Sequence, residues 1–596
     1  MTHILVIGSP SLDKLHFGHR TVSSAGGAGM YTAMAAVRCG VQVSLFAPRP
    51  KPMPSLLQPV SQRLTDWLGP EVAPGDMPRF EIAHDGDRAA YLEFFIGAES
   101  QLDPALLPDD LSCYDAVHVI PLGDARKQQE FLYAVQARGA CFISVGTFFQ
   151  DAHEMPHVVK ANIERSQACF MNEQEAVSIY GSLEGCAVKH GKTLFVTLGE
   201  KGALVIQGDH HTCLPAVPAQ RLDPTGAGDT FCGATLAFLA QGVHPVMAAR
   251  YAVALAAQVV EQVGPSALLE QAPPPGIPDD ARLRINERQI TAVAPVIDAL
   301  PEAEPFDFVG DDFPPVNHPS TQDFFFAVML QQFGFWSTAQ NRYSQPLIAD
   351  INGEQLKGSS YLFRCYLRPL QIDPEFYSPV RQAQLTDKDL QQIFLSDDGS
   401  QPMPALDLHV HMARTYGRSM LELGLTPQEI LRISQEDNQP LKKFLCLLDH
   451  IGGYREDPLR KKSSLLALCL NQRPEAFLRF GEHEKVAPVI DYHAMRSCLR
   501  LGLVDVVDEG LKETLAERYQ VSKNEEWAVR FATFRMQEKM AELTLKDQGA
   551  IDWFFFNYMR SHCPEMQEPV CEKCAADPVC AHRKQLFQPV FRTSFY

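Results

Sequence analysis

Residues 223–242 read DPTGAGDTFCGATLAFLAQG. The run opens on small residues, Gly226, Ala227 and Gly228, meets a carboxylate at Asp229, and continues as an apolar, helix-forming stretch. Small side chains let the backbone N–H groups at a helix start face an anion, and the helix dipole adds to the attraction. Asp229, in the same first turn, is placed to take a proton from an attacking hydroxyl. Alone, the run also reads as a Gly turn capped by Asp. Its setting decides between the two. Upstream, HILVIG (3–8), VSLFAP (43–48), AVHVIP (116–121), CFISVG (141–146), CFMN (169–172) and TLFVTLG (193–199) are short apolar strands separated by helical stretches. That alternation predicts an α/β domain with a mostly parallel sheet between helices.

The 596 residues predict at least two domains. EQAPPPGIPDD (270–280) breaks the α/β pattern, since three consecutive prolines continue neither a helix nor a central strand. A second Pro-rich, acidic stretch covers 301–319. Beyond it the apolar residues recur at helical period. The expected division is a domain over 1–270, a linker over 271–319, a helical domain over 320–562, and a cysteine-bearing loop and tail over 563–596.

The net charge is −19. Lys and Arg number 18 against 29 Asp and Glu through residue 280, and 35 against 43 beyond it. Neither half has the basic excess of a duplex-binding protein, so a small-molecule substrate is expected rather than nucleic acid. No apolar run reaches bilayer-spanning length. The opening MTHILVIGSP lacks the basic region of a signal peptide, and a cytoplasmic protein is expected.

The Gly-rich run has company. SSAGGAGMYTAMAAVRCG (23–40), Asp13 in PSLDKL, MNEQEA (171–176) and VTLGEKGALV (196–205) precede it in order. Together these motifs resemble the PfkB/ribokinase family of sugar and nucleoside kinases. The resemblance implies ATP and Mg²⁺. Asp229 is then the catalytic base, and Gly226, Ala227, Gly228, Thr197, Gly199 and Gly202 attend the nucleotide. Asp13, Gly26 and Gly27 hold the acceptor, while Asn172 and Glu175 act on Mg²⁺ and its waters. Many relatives have Asn where this chain has Tyr31. The aromatic ring points to a nucleoside acceptor, or else to plain packing. The kinase resemblance also leaves room for a homodimer through this domain.

CPEMQEPVCEKCAADPVC places Cys563, Cys571, Cys574 and Cys580 in one short loop, while the other eleven of the fifteen cysteines are scattered. Four thiolates so close suit a tetrahedral metal or a cubane cluster. The spacing resembles the [4Fe–4S] loop of endonuclease III-type DNA glycosylases, with Zn²⁺ the alternative. IDYHAMRSCLRLG (490–502) resembles the run that carries the catalytic Asp in that group, with Asp491 at its place.

A second resemblance spans about 320–505. QQFGFWS (331–337), LKGSSYLFRCYLRPL (356–370), LTDKDLQQIFLSDDG (385–399), KKSSLLALCL (461–470) and the Asp491 run are similar, in order, to the queuosine 5′-phosphate N-glycosylases of queuosine salvage. That family implies an all-α, DNA-glycosylase-like fold, with Asp491 stabilising a cationic ribose. On this reading Trp336 or Phe335 stacks on the base, and Lys461, Lys462 or Arg496 holds a 5′-phosphate. Asp491 as a helix cap alone is the structural alternative. The combined expectation is a bifunctional salvage enzyme that phosphorylates a nucleoside and then releases its base. Two alternatives stand beside it: a DNA glycosylase fused to a kinase, and a kinase with an inactive glycosylase-fold scaffold.

Overall fold

The computed structural model describes residues 2–85, 88–301 and 303–596. The chain divides into two compact units, one ending at Pro278 and one starting at Asp279.

In the first unit, the described residues form a nine-stranded sheet. In spatial order its strands are His210–Leu214, Ala203–Gln207, Thr193–Thr197, Ala168–Asn172, Ile143–Gly146, Ala116–Val119, His3–Ile7, Gln42–Phe46 and Asp66–Leu68. Pairing is parallel from Thr193–Thr197 to the Asp66–Leu68 edge and antiparallel at the opposite edge. Buried on both faces, the inner strands are continuous apolar runs rather than alternating ones. Helices Ala28–Arg38 and Ala227–Ala240 pack closely because a Cβ at Gly233 would fall 2.0 Å from the Thr32 carbonyl oxygen. A separate four-stranded sheet runs Arg20–Gly26, Ser11–Phe17, Arg79–Asp85, Arg88–Phe95. Its outer strand exposes Tyr91, Leu92 and Phe94.

The second unit is helix-rich around one apolar core. It also carries small ribbons that helical periodicity did not predict. Trp336–Ala339 pairs with Arg342–Pro346, and Ile348–Ile351 with Glu354–Lys357. Their turns, Gln340–Asn341 and Asn352–Gly353, hold positive φ at both residues, as the twist of a tight hairpin requires.

The stretch read as a linker over 271–319 needs correction. From Asp279 on it belongs to the second unit. Leu283–Ile285 pairs with Val504–Val506, and Glu287–Ala299 is a helix. The Pro-rich part is held by buried Arg473, which donates to the carbonyls of Phe308 and Pro314. Among the described residues no helix is long and apolar enough to cross a membrane.

Candidate functional sites

Helix Ala227–Ala240 starts from Gly226 at φ 75; the Ala227 N–H donates back to the Pro224 carbonyl at 3.3 Å, and the amides of Gly228 and Asp229 lie at the helix end. Burial lifts the Asp229 carboxyl to about 6. Thr32 Oγ1 donates to the Asp229 carbonyl at 3.4 Å and ties the two helices at this point. Asp223 sets the turn before the helix: its two oxygens accept the N–H groups of Thr225 and Gly264, both at 2.9 Å.

Asp13 is buried beside this turn. Burial pushes its carboxyl up to about 6, against the Phe80 N–H that donates to Oδ1 at 3.2 Å, and the Asp223 charge adds to the rise. A Cβ at Gly26 would lie 1.8 Å from Asp13 Oδ2, so the missing side chain is the space Asp13 occupies. At Gly27, φ is 88 and a Cβ would meet the Ser9 carbonyl at 2.6 Å.

Tyr31 does not stand open to an acceptor. It is 1% exposed, and a Cβ at Gly226 would come 2.4 Å from its ring. Burial, then the charges of Asp223, Asp13 and Asp229, raise its hydroxyl well above the usual range. The ring therefore packs between the aspartates and the glycine turn, which is the plainer of its two expected roles.

Asn172 and Glu175 form a reciprocal helix cap. Asn172 Oδ1 accepts the Glu175 N–H at 2.9 Å, and Glu175 Oε2 accepts the Asn172 N–H at 2.8 Å. Thr147 Oγ1 donates to the same Glu175 oxygen at 2.7 Å. Burial raises Glu175, and the Asp229 charge adds to the rise, so the two carboxylates share one region. Asn172 Nδ2 donates to the other Glu175 oxygen at 2.8 Å, so both carboxylate oxygens are already bonded and a hard cation would be met through its waters. Thr197 ends a strand. The following turn closes from Leu198 N–H to the Gly202 carbonyl at 2.8 Å, with Gly199 at φ 58 and Gly202 at φ 99.

In the second unit, Asp491 is both a helix cap and a cavity wall. It is the N-cap of helix Tyr492–Leu501, and its Oδ1 accepts the Ala494 N–H at 2.8 Å. It also lines a cavity of about 180 Å³ with Lys461, Asp552, Phe335, Trp553 and Phe556. Burial raises the Asp491 carboxyl, chiefly against the Lys461 charge and the Ala494 N–H. Lys461 Nζ donates to the Gln332 carbonyl at 3.0 Å; burial lowers it to about 8, with Asp491 and then Asp457 opposing.

The other expected ligand groups separate. Phe335 lines the Asp491 cavity, but Trp336 lines a second cavity of about 320 Å³ and stacks on Tyr343 at 5.1 Å. Lys462 turns to the Leu330 carbonyl at 3.0 Å and is absent from the cavity wall. Arg496 is 0% exposed and is held by Gln588, His493 and Glu565, so it does not reach a phosphate in that cavity. The helix turns Arg496 away from the cavity that its N-cap lines.

Residues 124–272 match the pfkB family of carbohydrate kinases, and residues 313–576 match the queuosine salvage protein family. The chain joins a pfkB-type kinase domain to a queuosine salvage domain. Among curated proteins it is similar to the cytidine kinase of Thermococcus kodakarensis, 26% identical over 41% of this chain and 90% of that protein. The ribokinase of Bacillus subtilis is 37% identical over 14% of this chain and 28% of that protein. Among solved structures, the Burkholderia thailandensis nucleoside kinase in complex with inosine aligns at 20% identity, covering 46% of this chain and 94% of that one, with a TM-score of 0.39.

The salvage domain's cavity holds groups that sequence reasoning missed. Asp552 Oδ1 accepts from Gln548 Nε2 at 2.9 Å and from the Val489 N–H at 3.3 Å, while buried Oδ2 has no partner. Burial raises this carboxyl well above the usual range, and the Asp491 charge adds to the rise. Arg560 also lines the cavity, with its guanidinium 4.9 Å from the Phe556 ring centre. Phe306, from the stretch read as linker, stacks on Trp553 at 4.7 Å and completes an aromatic wall.

The four loop cysteines are free thiols, each half-buried. Cys563 Sγ accepts from Arg500 Nη1 at 3.4 Å, and Cys580 Sγ from the His582 N–H at 3.3 Å. Cys580 feels the charges of Cys563, Cys574 and Cys571. Among the described residues no three of these four thiols lie within 4.8 Å of one another, so they do not converge as a single tetrahedral ion would require; four thiolate donors in one loop suit the wider spacing of a cluster. Among the described residues, Cys571, Asp577 and His582 bring their ligand atoms within 4.8 Å of one another. The cysteine pattern gave no sign of the last two.

Proposed function

We propose that the kinase domain phosphorylates the 5′-hydroxyl of a nucleoside and that the salvage domain hydrolyses the N-glycosidic bond of the resulting 5′-monophosphate. In the first step Asp13 holds the acceptor hydroxyls. Asp229 takes the proton of the attacking hydroxyl as its oxygen bonds to the γ-phosphorus of ATP, and the bond to the β-phosphate oxygen breaks. The Gly228 amide, in the first turn of the helix, donates to the charge that develops. Asn172 and Glu175 would hold Mg²⁺ through its waters, and the ion would supply neutralisation of the phosphate oxygens.

In the second step the base lies between Phe335, Trp553 and Phe556. Asp491 faces the ribose, stabilises the positive charge that grows there, and receives a proton from the attacking water. The water oxygen bonds to C1′ as the C1′–N bond breaks. Its electron pair leaves on the base, which takes a proton from Asp552. Arg560 is the phosphate partner in place of Arg496. A 7-deazaguanine nucleoside of the queuosine type is the first substrate to try, in keeping with the salvage-family match. The four thiols hold a [4Fe–4S] cluster or, on the alternative reading, Zn²⁺ as a structural group.

The single observation that carries the reading is Asp491 lining an aromatic cavity with one carboxylate oxygen outside its capping bond. A packed Asp491 would have favoured the scaffold reading. The test is incubation with ATP, Mg²⁺ and a panel of nucleosides, followed by mass spectrometry. Free base and ribose 5-phosphate are expected, and in Asp491→Ala the intact monophosphate accumulates. Base released equally well without ATP contradicts the order of steps.

A further inference from the structure

The helix Tyr492–Leu501 has the Asp491 cavity at one end and the cysteine loop at the other, about 15 Å apart at 1.5 Å per residue. At its C-terminal end, Arg500 binds the first cysteine of the loop. Its Nη1 donates to Cys563 Sγ and the Cys563 carbonyl, each at 3.4 Å, and to the Pro564 carbonyl at 2.8 Å. The residues that follow the last cysteine close over the same end: the Ala581 N–H donates to the Leu501 carbonyl at 3.3 Å, and the Arg583 N–H to the Arg500 carbonyl at 3.1 Å.

A second link runs along the helix toward the cavity. Glu565, two residues after Cys563, is 1% exposed. Its Oε1 accepts from Lys357 Nζ at 2.6 Å, and its Oε2 lies 3.5 Å from Arg496 Nη2. That same guanidinium nitrogen lies 2.9 Å from His493 Nδ1, two residues from Asp491. Removing the Glu565 charge leaves the Arg496 cation buried beside a neutral ring and an amide, an arrangement a protein relaxes by moving the helix.

We propose that the four-thiol loop positions Asp491: the group held by Cys563, Cys571, Cys574 and Cys580 fixes Cys563–Glu565, and that segment grips the Asp491 helix through Arg500 and Arg496. Glu565 is the positioning residue. It touches neither the cavity nor the thiols' own ligand atom, and acts through Arg496 and His493. Loss of the bound group then weakens base release while the kinase domain keeps its turnover. The activity arm of this inference rests on the proposed base release; the structural arm does not.

The test uses the full chain purified without oxygen, assayed for iron and zinc and for visible absorbance, and compared with Glu565→Gln and with chelator-stripped protein. Glu565→Gln is expected to keep its metal content and absorbance, to lose about 10- to 100-fold in kcat for base release, and to hold KM within about twofold. Amide exchange over residues 490–502 is expected to rise both in Glu565→Gln and in the stripped protein, with phosphoryl transfer retained. Wild-type kcat in Glu565→Gln, or unchanged exchange at 490–502 after stripping, overturns the inference. If the metal-loaded parent releases no base from any monophosphate, the proposed function fails, and exchange at 490–502 alone decides the coupling.

Discussion

Asp491 and Lys461 line one cavity, and each draws the other toward its ionised form. Burial works against both, raising the carboxyl and lowering the ammonium to about 8. On the proposed mechanism base release needs Asp491 ionised, so its acid limb follows the raised carboxyl. In Lys461→Ala the largest opposing charge is lost, and Asp491 rises further. The acid limb of kcat/KM for base release then moves to higher pH, which a pH–rate profile with 5′-monophosphate reads directly.

Asp229 gives the kinase step a separate pH signature. Its carboxyl stands at about 6, and only the ionised form accepts a proton. Phosphoryl transfer falls as pH drops through that value and is level above it. Asp229→Asn removes the limb together with about 10²- to 10⁴-fold in kcat, measured as ATP-dependent monophosphate formation.

Gly26→Ala tests the acceptor pocket. The new Cβ would fall 1.8 Å from Asp13 Oδ2, so the carboxylate must leave its place. The expected result is a rise in nucleoside KM of about tenfold or more, with ATP affinity unchanged, since one lost charge-assisted hydrogen bond is worth ~1.5–3 kcal/mol.

Arg530 and Asp457 form a buried ion pair at 2.7 Å, and Asp457 Oδ2 also accepts the Lys461 N–H at 2.7 Å. Arg530→Ala leaves Asp457 buried without its cation at the start of the helix that carries Lys461. A loss of about 3–5 kcal/mol is expected in the stability of the second unit, read from urea denaturation followed by Trp fluorescence.

The candidate kinase site is legible in the sequence where its parts are backbone devices. Gly26, Gly27 and Gly226 are demanded by a close carboxylate, a close carbonyl and a left-handed turn, and such demands fix residue type. Tyr31 was not readable, since which way a single ring turns depends on the neighbours that three-dimensional packing brings to it. In the second unit Asp491 was placed by its run. Asp552 and Arg560 lie in AIDWFFFNYMR, where aromatic residues dominate and no ligand spacing marks the polar ones. The Pro-rich stretch read as a linker because its composition breaks helices. Its order comes instead from distant groups, the Arg473 guanidinium and the Trp553 ring. The Asn352–Gly353 turn carried a hairpin signal that helical periodicity on either side obscured.

The central claim is hydrolysis at Asp491 of a phosphorylated nucleoside. It is tested most directly by giving the chain a purified nucleoside 5′-monophosphate without ATP, beside the unphosphorylated nucleoside, and following free base by chromatography. The account predicts base from the monophosphate alone, and a loss of about 10²-fold or more in Asp491→Ala with the kinase step intact. Equal release by Asp491→Ala and the parent would contradict it.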